Sequence, residues 1–234
     1  MILAAGIEEK NKGTLYIVGT PIGNLEDVSF RVLDTLRKVN LIAAEDTRHT
    51  RKLLSHYNIH TPLTSFYEHN EEKKTPQLIE KLKNGNSIAL VSNAGIPSIS
   101  DPGYHLIKTV IEENIKVVPI PGPCALILAL VVSGMPTDRF VFEGFLGRTK
   151  KERMKKLKEL SKEKRTIIIY EAPHRISKVL SEIRETLGDR QIAVARELTK
   201  KFEEVIRGKI SDVEMIFEKK KPRGELTIVI EGLR

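Results

Sequence analysis

Short apolar runs alternate with helically spaced stretches through the first half of the chain. Runs over residues 15–18, 41–44, 63–67, 87–92 and 117–120 read as strands. Between them, residues 27–38 repeat apolar positions at Val28, Val32, Leu33 and Leu36, as an amphipathic helix does. Residues 47–57 form a second such stretch, with Leu53 and Leu54 inward, and 104–113 a later one. Thr75 is expected to cap a further helix, with Pro76 at its first position and its end near Asn84-Gly85. Strands separated by helices pair in parallel, with helices on the faces.

The second half opens with a wholly apolar helix over 125–132. Strands follow at 140–145, 166–170, 191–196, 204–209 and 226–230, and helices at 150–160, 176–187 and 212–217. Back-to-back strands between 191 and 209 predict antiparallel pairing. Pro119, Pro121 and Pro123 around Gly122 make a stiff segment suited to a hinge, which divides the chain at 1–120 and 121–234. The expected class is therefore α/β in two domains, with a mostly parallel first sheet and a mixed second one.

Composition narrows the functional classes. The 234 residues suffice for these two domains, and no stretch nears the roughly 20 apolar residues of a membrane helix. The opening 13 residues read as a frayed leader rather than a signal peptide. The single Cys124 excludes an internal disulfide and suits a reducing, cytoplasmic setting. Lys and Arg exceed Asp and Glu by 39 to 31, which favours a polyanionic partner and equally suits a charged, heat-adapted surface. Residues 148–165 hold ten Lys or Arg against three Glu, nearly the whole excess. Met154, Leu157 and Leu160 form a narrow apolar stripe there, so the rest of that helix should be solvated and basic. Lys219-Lys220-Lys221-Pro222-Arg223 is a smaller patch of the same kind. Phe66, Tyr67 and Phe145 are the expected aromatics for base stacking.

Several chemistries are excluded by absence. There is no G-x-G-x-x-G after the first strand, no P-loop and no Cys/His zinc set. What remains are the loops at strand ends, where open α/β sheets bind ligands. They are Thr20-Pro21-Ile22-Gly23-Asn24, Glu45-Asp46-Thr47-Arg48, residues 92–103 and Pro121-Gly122-Pro123-Cys124. Glycines there admit close backbone approach to a ligand, and prolines hold loop shape.

Five longer segments carry a resemblance: residues 16–25 (YIVGTPIGNL), 44–48 (AEDTR), 100–103 (SDPG), 170–175 (YEAPHR) and 196–200 (RELTK). Together they resemble the ribosomal RNA small subunit methyltransferase I family, the RNA-modifying branch of the tetrapyrrole methylases, over residues 13–232. The resemblance implies two α/β domains with S-adenosyl-L-methionine in the cleft between them, and a homodimer. It also implies 2'-O-methylation of a cytidine in the decoding region of 16S rRNA; the expected partner is that RNA in the assembled small ribosomal subunit, with no membrane partner and no metal. Two residues depart from the family's Ser-Asp-Ala-Gly-Thr-Pro: Asn93, which cannot take a proton as a carboxylate does, and Ile96, which removes a hydroxyl. Cys124 stands where the family commonly has Ser.

Donor contacts are expected from Pro21, Asn93, Gly95, Pro97 and Ile99, from Pro123, Cys124 and Ala125, and from Tyr170, Glu171 and Leu198. Methyl transfer to a ribose hydroxyl needs alignment and a proton acceptor. Glu45, Asp46, Glu171 and His174 are the catalytic candidates. Arg48, Lys151, Lys155, Lys156, Arg175 and Arg196 are those for RNA phosphates. Each of these charged sets reads equally as structural salt bridges. Two alternatives stay open: a methylase of a tetrapyrrole, and a non-catalytic RNA-binding protein.

Overall fold

The computed structural model describes residues 12–220 and 222–234. Residues 1–11 of the leader and Lys221 of the small basic patch fall outside them. Two compact units divide the chain, the first ending at Pro123 and the second spanning Cys124–Arg234.

The first unit alternates strand and helix: β1 (Thr14–Val18), α1 (Phe30–Lys38), β2 (Leu41–Ala44), α2 (Thr47–His56), β3 (Leu63–Ser65), α3 (Glu71–Lys83), β4 (Ile88–Val91), α4 (Tyr104–Glu112) and β5 (Lys116–Ile120). All five strands are parallel, in the order β3-β2-β4-β1-β5. Side-chain alternation sorts the strands between two cores. Val18, Ile42, Ala44, Ala89 and Val91 meet α1 and α2 through Val32, Leu36, Leu53 and Leu54. Leu15, Ile17, Ala43, Ile88 and Leu90 meet α3 and α4 through Leu78, Leu82, Leu106 and Val110. Both faces are covered, so the inner strands β2 and β4 are apolar throughout.

The second unit comprises α5 (Ala125–Ser133), β6 (Phe140–Phe145), α6 (Lys150–Leu160), β7 (Thr166–Glu171), α7 (Ile176–Leu187), β8 (Gln191–Arg196), β9 (Glu204–Lys209), α8 (Ile210–Lys219) and β10 (Leu226–Ile230). Its sheet runs β6-β7-β10-β8-β9, with β6 and β7 parallel and the other pairs antiparallel. Ile167, Ile169, Ile192, Val194, Ile228 and Ile230 join α6, α7 and α8 in one core. The opposite face meets α5. The expected class, a parallel first sheet and a mixed second one, is what the chain forms.

Three local expectations differ. The helix expected from residue 27 is a 3-10 turn, Leu25–Asp27, followed by α1, which starts after Ser29 accepts a hydrogen bond from the Val32 amide at 3.2 Å. α3 starts at Glu71, so Thr75 and Pro76 lie inside it. A turn at Tyr67–Asn70, in which the Tyr67 amide donates to Asn70 Oδ1 at 2.8 Å, launches the helix early. Glu71 and Glu72 then sit at its positive end. Finally, β3 stops at Ser65 and turns Phe66 into the core at 1% exposure, which removes it as a stacking residue. Among the described residues, no helix is long and apolar enough to cross a membrane.

Candidate functional site

In the first unit the carboxyl ends of β4, β1 and β5 lie side by side, and their loops are bonded to one another. Thr20 and Gly95 exchange backbone hydrogen bonds at 2.8 and 3.0 Å, and the Gly19 amide donates to Ile120 O at 3.1 Å. Buried Thr20 also donates from its hydroxyl to Ser92 O at 3.3 Å. Gly19 and Gly122 touch so closely that a Cβ on either would sit 2.7–2.8 Å from the other's backbone. The 92–103 loop is tightly bent: Gly95, Ser98, Ser100 and Gly103 all have positive φ, of 82°, 72°, 60° and 135°. Two serines in the left-handed region mark stored strain of about 1–3 kcal/mol each. Pro97 is buried beneath this loop, Ile99 is exposed at its tip, and Pro21 is half-buried in the loop after β1. Pro123 O lies 3.6 Å from the Cβ position of Gly95.

Glu45 and Asn93 connect the ends of β2 and β4. The Asn93 amide donates to Glu45 Oε2 at 3.0 Å, so this carboxylate pins the glycine-bearing loop. Asn93 Oδ1 is buried with no hydrogen-bond partner, an acceptor left unmet. A buried unmet acceptor costs about 1–3 kcal/mol unless a ligand supplies a donor. Asp46 caps α2: its carboxylate accepts from the Arg48 amide at 2.8 Å and from the Arg48 guanidinium at 3.1 and 2.8 Å. These bonds hold the Asp46 carboxyl well below the usual carboxylate range. Asp46 thus caps α2 and holds Arg48 beside it. Arg48 is 86% exposed beside it.

In the second unit, Glu171 closes β7 and is fully buried. Its Oε1 accepts from the Ala172 amide and from Arg175 Nε, each at 2.6 Å. Its Oε2 has no partner. Arg175 also donates to Leu146 O at 3.2 Å, so the guanidinium expected on RNA is engaged inside the unit. Tyr170 packs edge-on against Phe142 at 5.0 Å and lies tilted to Phe145 at 5.5 Å. His174 is exposed in the 3-10 turn Pro173–Arg175.

Across β10, the same sheet edge carries Arg196, because Leu226 faces both Glu171 and Arg196 in register. The β8–β9 register sets Glu204 opposite Arg196. The two bond at 2.6 Å, and Lys220 joins at 2.7 Å, so Arg196 is likewise committed within the unit. These cations hold the Glu204 carboxyl below its ordinary range. Leu198 is buried in the following loop. Cys124 precedes the first turn of α5, with Ala125 the next residue, both half-buried.

The basic helix α6 also requires correction. Arg153, counted among its solvated cations, is buried and bonds Glu182 of α7 through two contacts at 2.6 and 2.7 Å. It further donates to Arg148 O at 2.8 Å. This pairing lowers the Glu182 pKa and raises that of Arg153. Lys156 bonds Glu143 at 3.0 Å and Glu159 at 3.4 Å, while Lys151 and Lys155 stay exposed. Sequence spacing gave no sign of the Arg153–Glu182 pair, because an arginine on an amphipathic helix ordinarily points outward.

A parallel doubly wound sheet followed by a mixed sheet, with bonded glycine loops at the first sheet's strand ends, defines a class. The model of the tetrapyrrole (corrin/porphyrin) methylases matches residues 14–214, and the chain belongs to that family. Its fold is shared with a cobalt precorrin-4 methyltransferase of cobalamin biosynthesis: TM-score 0.69, 17% identity, 93% of this chain and 94% of that one. It is shared too with a uroporphyrin-III C-methyltransferase from Thermus thermophilus complexed with S-adenyl homocysteine: TM-score 0.63, 16% identity, 94% of this chain and 97% of that one.

Sequence identity narrows the branch. The chain is 53% identical to ribosomal RNA small subunit methyltransferase I of Bacillus subtilis (strain 168), over 96% of its own length and 77% of that protein's. It is 51% identical to the protein of the same name from Thermotoga maritima, over 94% of its length and 99% of that protein's. These relatives place it in the ribosomal RNA small subunit methyltransferase I branch of the family.

Proposed function

We propose that the chain transfers the methyl group of S-adenosyl-L-methionine to the ribose 2'-hydroxyl of a cytidine in the decoding region of 16S rRNA, in the assembled small subunit. The observation that carries this reading is roughly half-identity, over nearly the whole chain, to proteins named for small-subunit ribosomal RNA methylation.

Two features of the first unit suit a donor with amine and hydroxyl groups. The unmet Asn93 Oδ1 offers an acceptor, and Thr20, Gly95 and Gly122 give a backbone cradle with few side chains in the way. Pro21, Pro97 and Ile99 would supply apolar contact. The donor, when bound, provides an electrophilic methyl on a sulfonium whose charge disappears in the transfer. The chain's residues align it, and that alignment supplies a large part of the acceleration. Glu171 Oε2, buried and unpaired in the second unit, is assigned to donor binding as a second acceptor. Asn93 keeps this role without a carboxylate, since accepting a hydrogen bond needs no charge.

Phosphate contacts are assigned to Arg48, Lys151 and Lys155, the cations that stay exposed. A homodimer is proposed as well; Val131, 66% exposed on the apolar helix α5, suits burial against a second copy.

The test is methylation of unmodified 30S subunits with radiolabelled S-adenosyl-L-methionine, followed by nucleoside analysis. The expected product is 2'-O-methylcytidine in 16S rRNA. Label on a base, or no transfer to RNA with transfer to a tetrapyrrole, overturns the reading.

A further inference from the structure

The loop joining β8 to β9 holds an aromatic ring out in solvent on a rigid support. Phe202 is 66% exposed, and Lys201 Nζ lies 5.8 Å from its ring centroid. The support is built in layers. Leu198 anchors the loop in the core. The Lys200 amide donates to Glu197 O at 3.0 Å, and the Glu203 amide to Lys200 O at 3.1 Å. Glu203 Oε2 accepts from the Thr199 amide at 2.6 Å, and Lys200 Nζ bonds Glu197 Oε1 at 2.9 Å. Glu197 and Thr199 both take positive φ, 50° and 65°, which is unfavourable for a β-branched residue. Gly224 admits the Glu197 side chain, since a Cβ there would lie 2.0 Å from Glu197 Oε1.

A strained, cross-braced loop that keeps a phenylalanine in water, where burial would favour it, fits a binding role better than a connecting one. Its chemistry selects the partner. The loop neighbours of Phe202 are Lys200, Lys201 and Glu203, so the ring stands in a charged stretch of chain. An aromatic ring with an ammonium over it matches a nucleotide, the ring meeting the base and the cation the phosphate. A face can be met only by an unstacked base, which double-stranded RNA does not offer. The loop leaves β8 at the sheet edge that carries Glu171.

We propose that Phe202 and Lys201 form a stacking platform for an unpaired nucleotide of the RNA substrate. The proposal rests on the RNA reading above. Because the loop is already braced, the ring loses little freedom on binding.

The test is fluorescence anisotropy with a labelled single-stranded RNA and the same strand in a blunt duplex. The unaltered chain is compared with Phe202→Ala, Phe202→Tyr and Lys201→Ala. Phe202→Ala is expected to weaken single-strand binding by about fivefold to a hundredfold, leave duplex binding within about twofold, and leave the salt slope unchanged. Phe202→Tyr should bind as the unaltered chain does. Lys201→Ala should flatten the single-strand salt slope by about 0.7. Equal losses on both RNAs, no loss, or no binding of single strands by the unaltered chain overturns the proposal. A change of sedimenting mass in Phe202→Ala overturns it too, assigning the ring to a contact between chains. Failed methylation of 30S subunits would be a separate result, counting against the functional reading alone.

Discussion

Glu171, bonded to Arg175, holds the fold and carries the proposed donor contact on its other oxygen. Removing one partner of a buried pair leaves an uncompensated charge, so Glu171→Ala should destabilise the chain by about 3 kcal/mol in urea unfolding. Glu171→Gln should largely keep the fold and still lose donor affinity, because Oε2 is the oxygen left unpaired. Glu182 gives a pH-dependent counterpart. Its folded pKa is depressed by Arg153, so its contribution is full above the ordinary value of 4.5 and is lost as pH falls through the lower folded value. The stability gap between the chain and Glu182→Gln should therefore be widest near neutrality and close in acid. A gap that widened in acid would contradict the pairing. Among the proton-accepting candidates, His174 is exposed and makes no hydrogen bond among the described residues, whereas Asp46 is held acidic and Glu45 pins a loop. His174→Gln should lower the methyl-transfer rate on the order of a hundredfold.

At the scale of elements, α3 and α6 carry the instructive departures. Pro76 lies in the interior of α3, where it forfeits one helical hydrogen bond, and interior proline costs about 3 kcal/mol. Pro76→Ala should raise the melting temperature, the restored bond outweighing the freedom regained by the unfolded chain. Sequence reasoning placed Pro76 at a helix start because proline favours that position. The turn that overrides it depends on an Asn70 side chain reaching back to the Tyr67 amide, a contact with no periodic signature. Strands were legible for a simple reason: both faces of β1, β2 and β4 are covered, so each is a continuous apolar run. Arg153 was not, since the compensating Glu182 is 29 residues away on another helix. With Arg153 buried, the phosphate contacts proposed for α6 fall to Lys151 and Lys155. Reversing both to Glu should weaken RNA binding and flatten its salt dependence while donor binding holds.

Across the whole molecule, the rim of the first unit was foreseeable as glycine and proline loops at successive strand ends. The bonds joining the loops were not, because Thr20 and Gly95, or Gly19 and Gly122, are brought together only by the strand order β4-β1-β5. That order makes the rim one object, and it is the feature on which the proposed donor binding rests. Gly19→Ala should test its tightness, a Cβ 2.8 Å from Gly122 costing about 1–3 kcal/mol and weakening donor binding. The most direct measurement is isothermal titration of the chain and of Asn93→Leu with S-adenosyl-L-methionine. Saturable heat at one equivalent per chain, with affinity lowered at least about tenfold in Asn93→Leu, is predicted. No heat from the unaltered chain, or equal affinity in the variant, would contradict the assignment of this rim to the methyl donor.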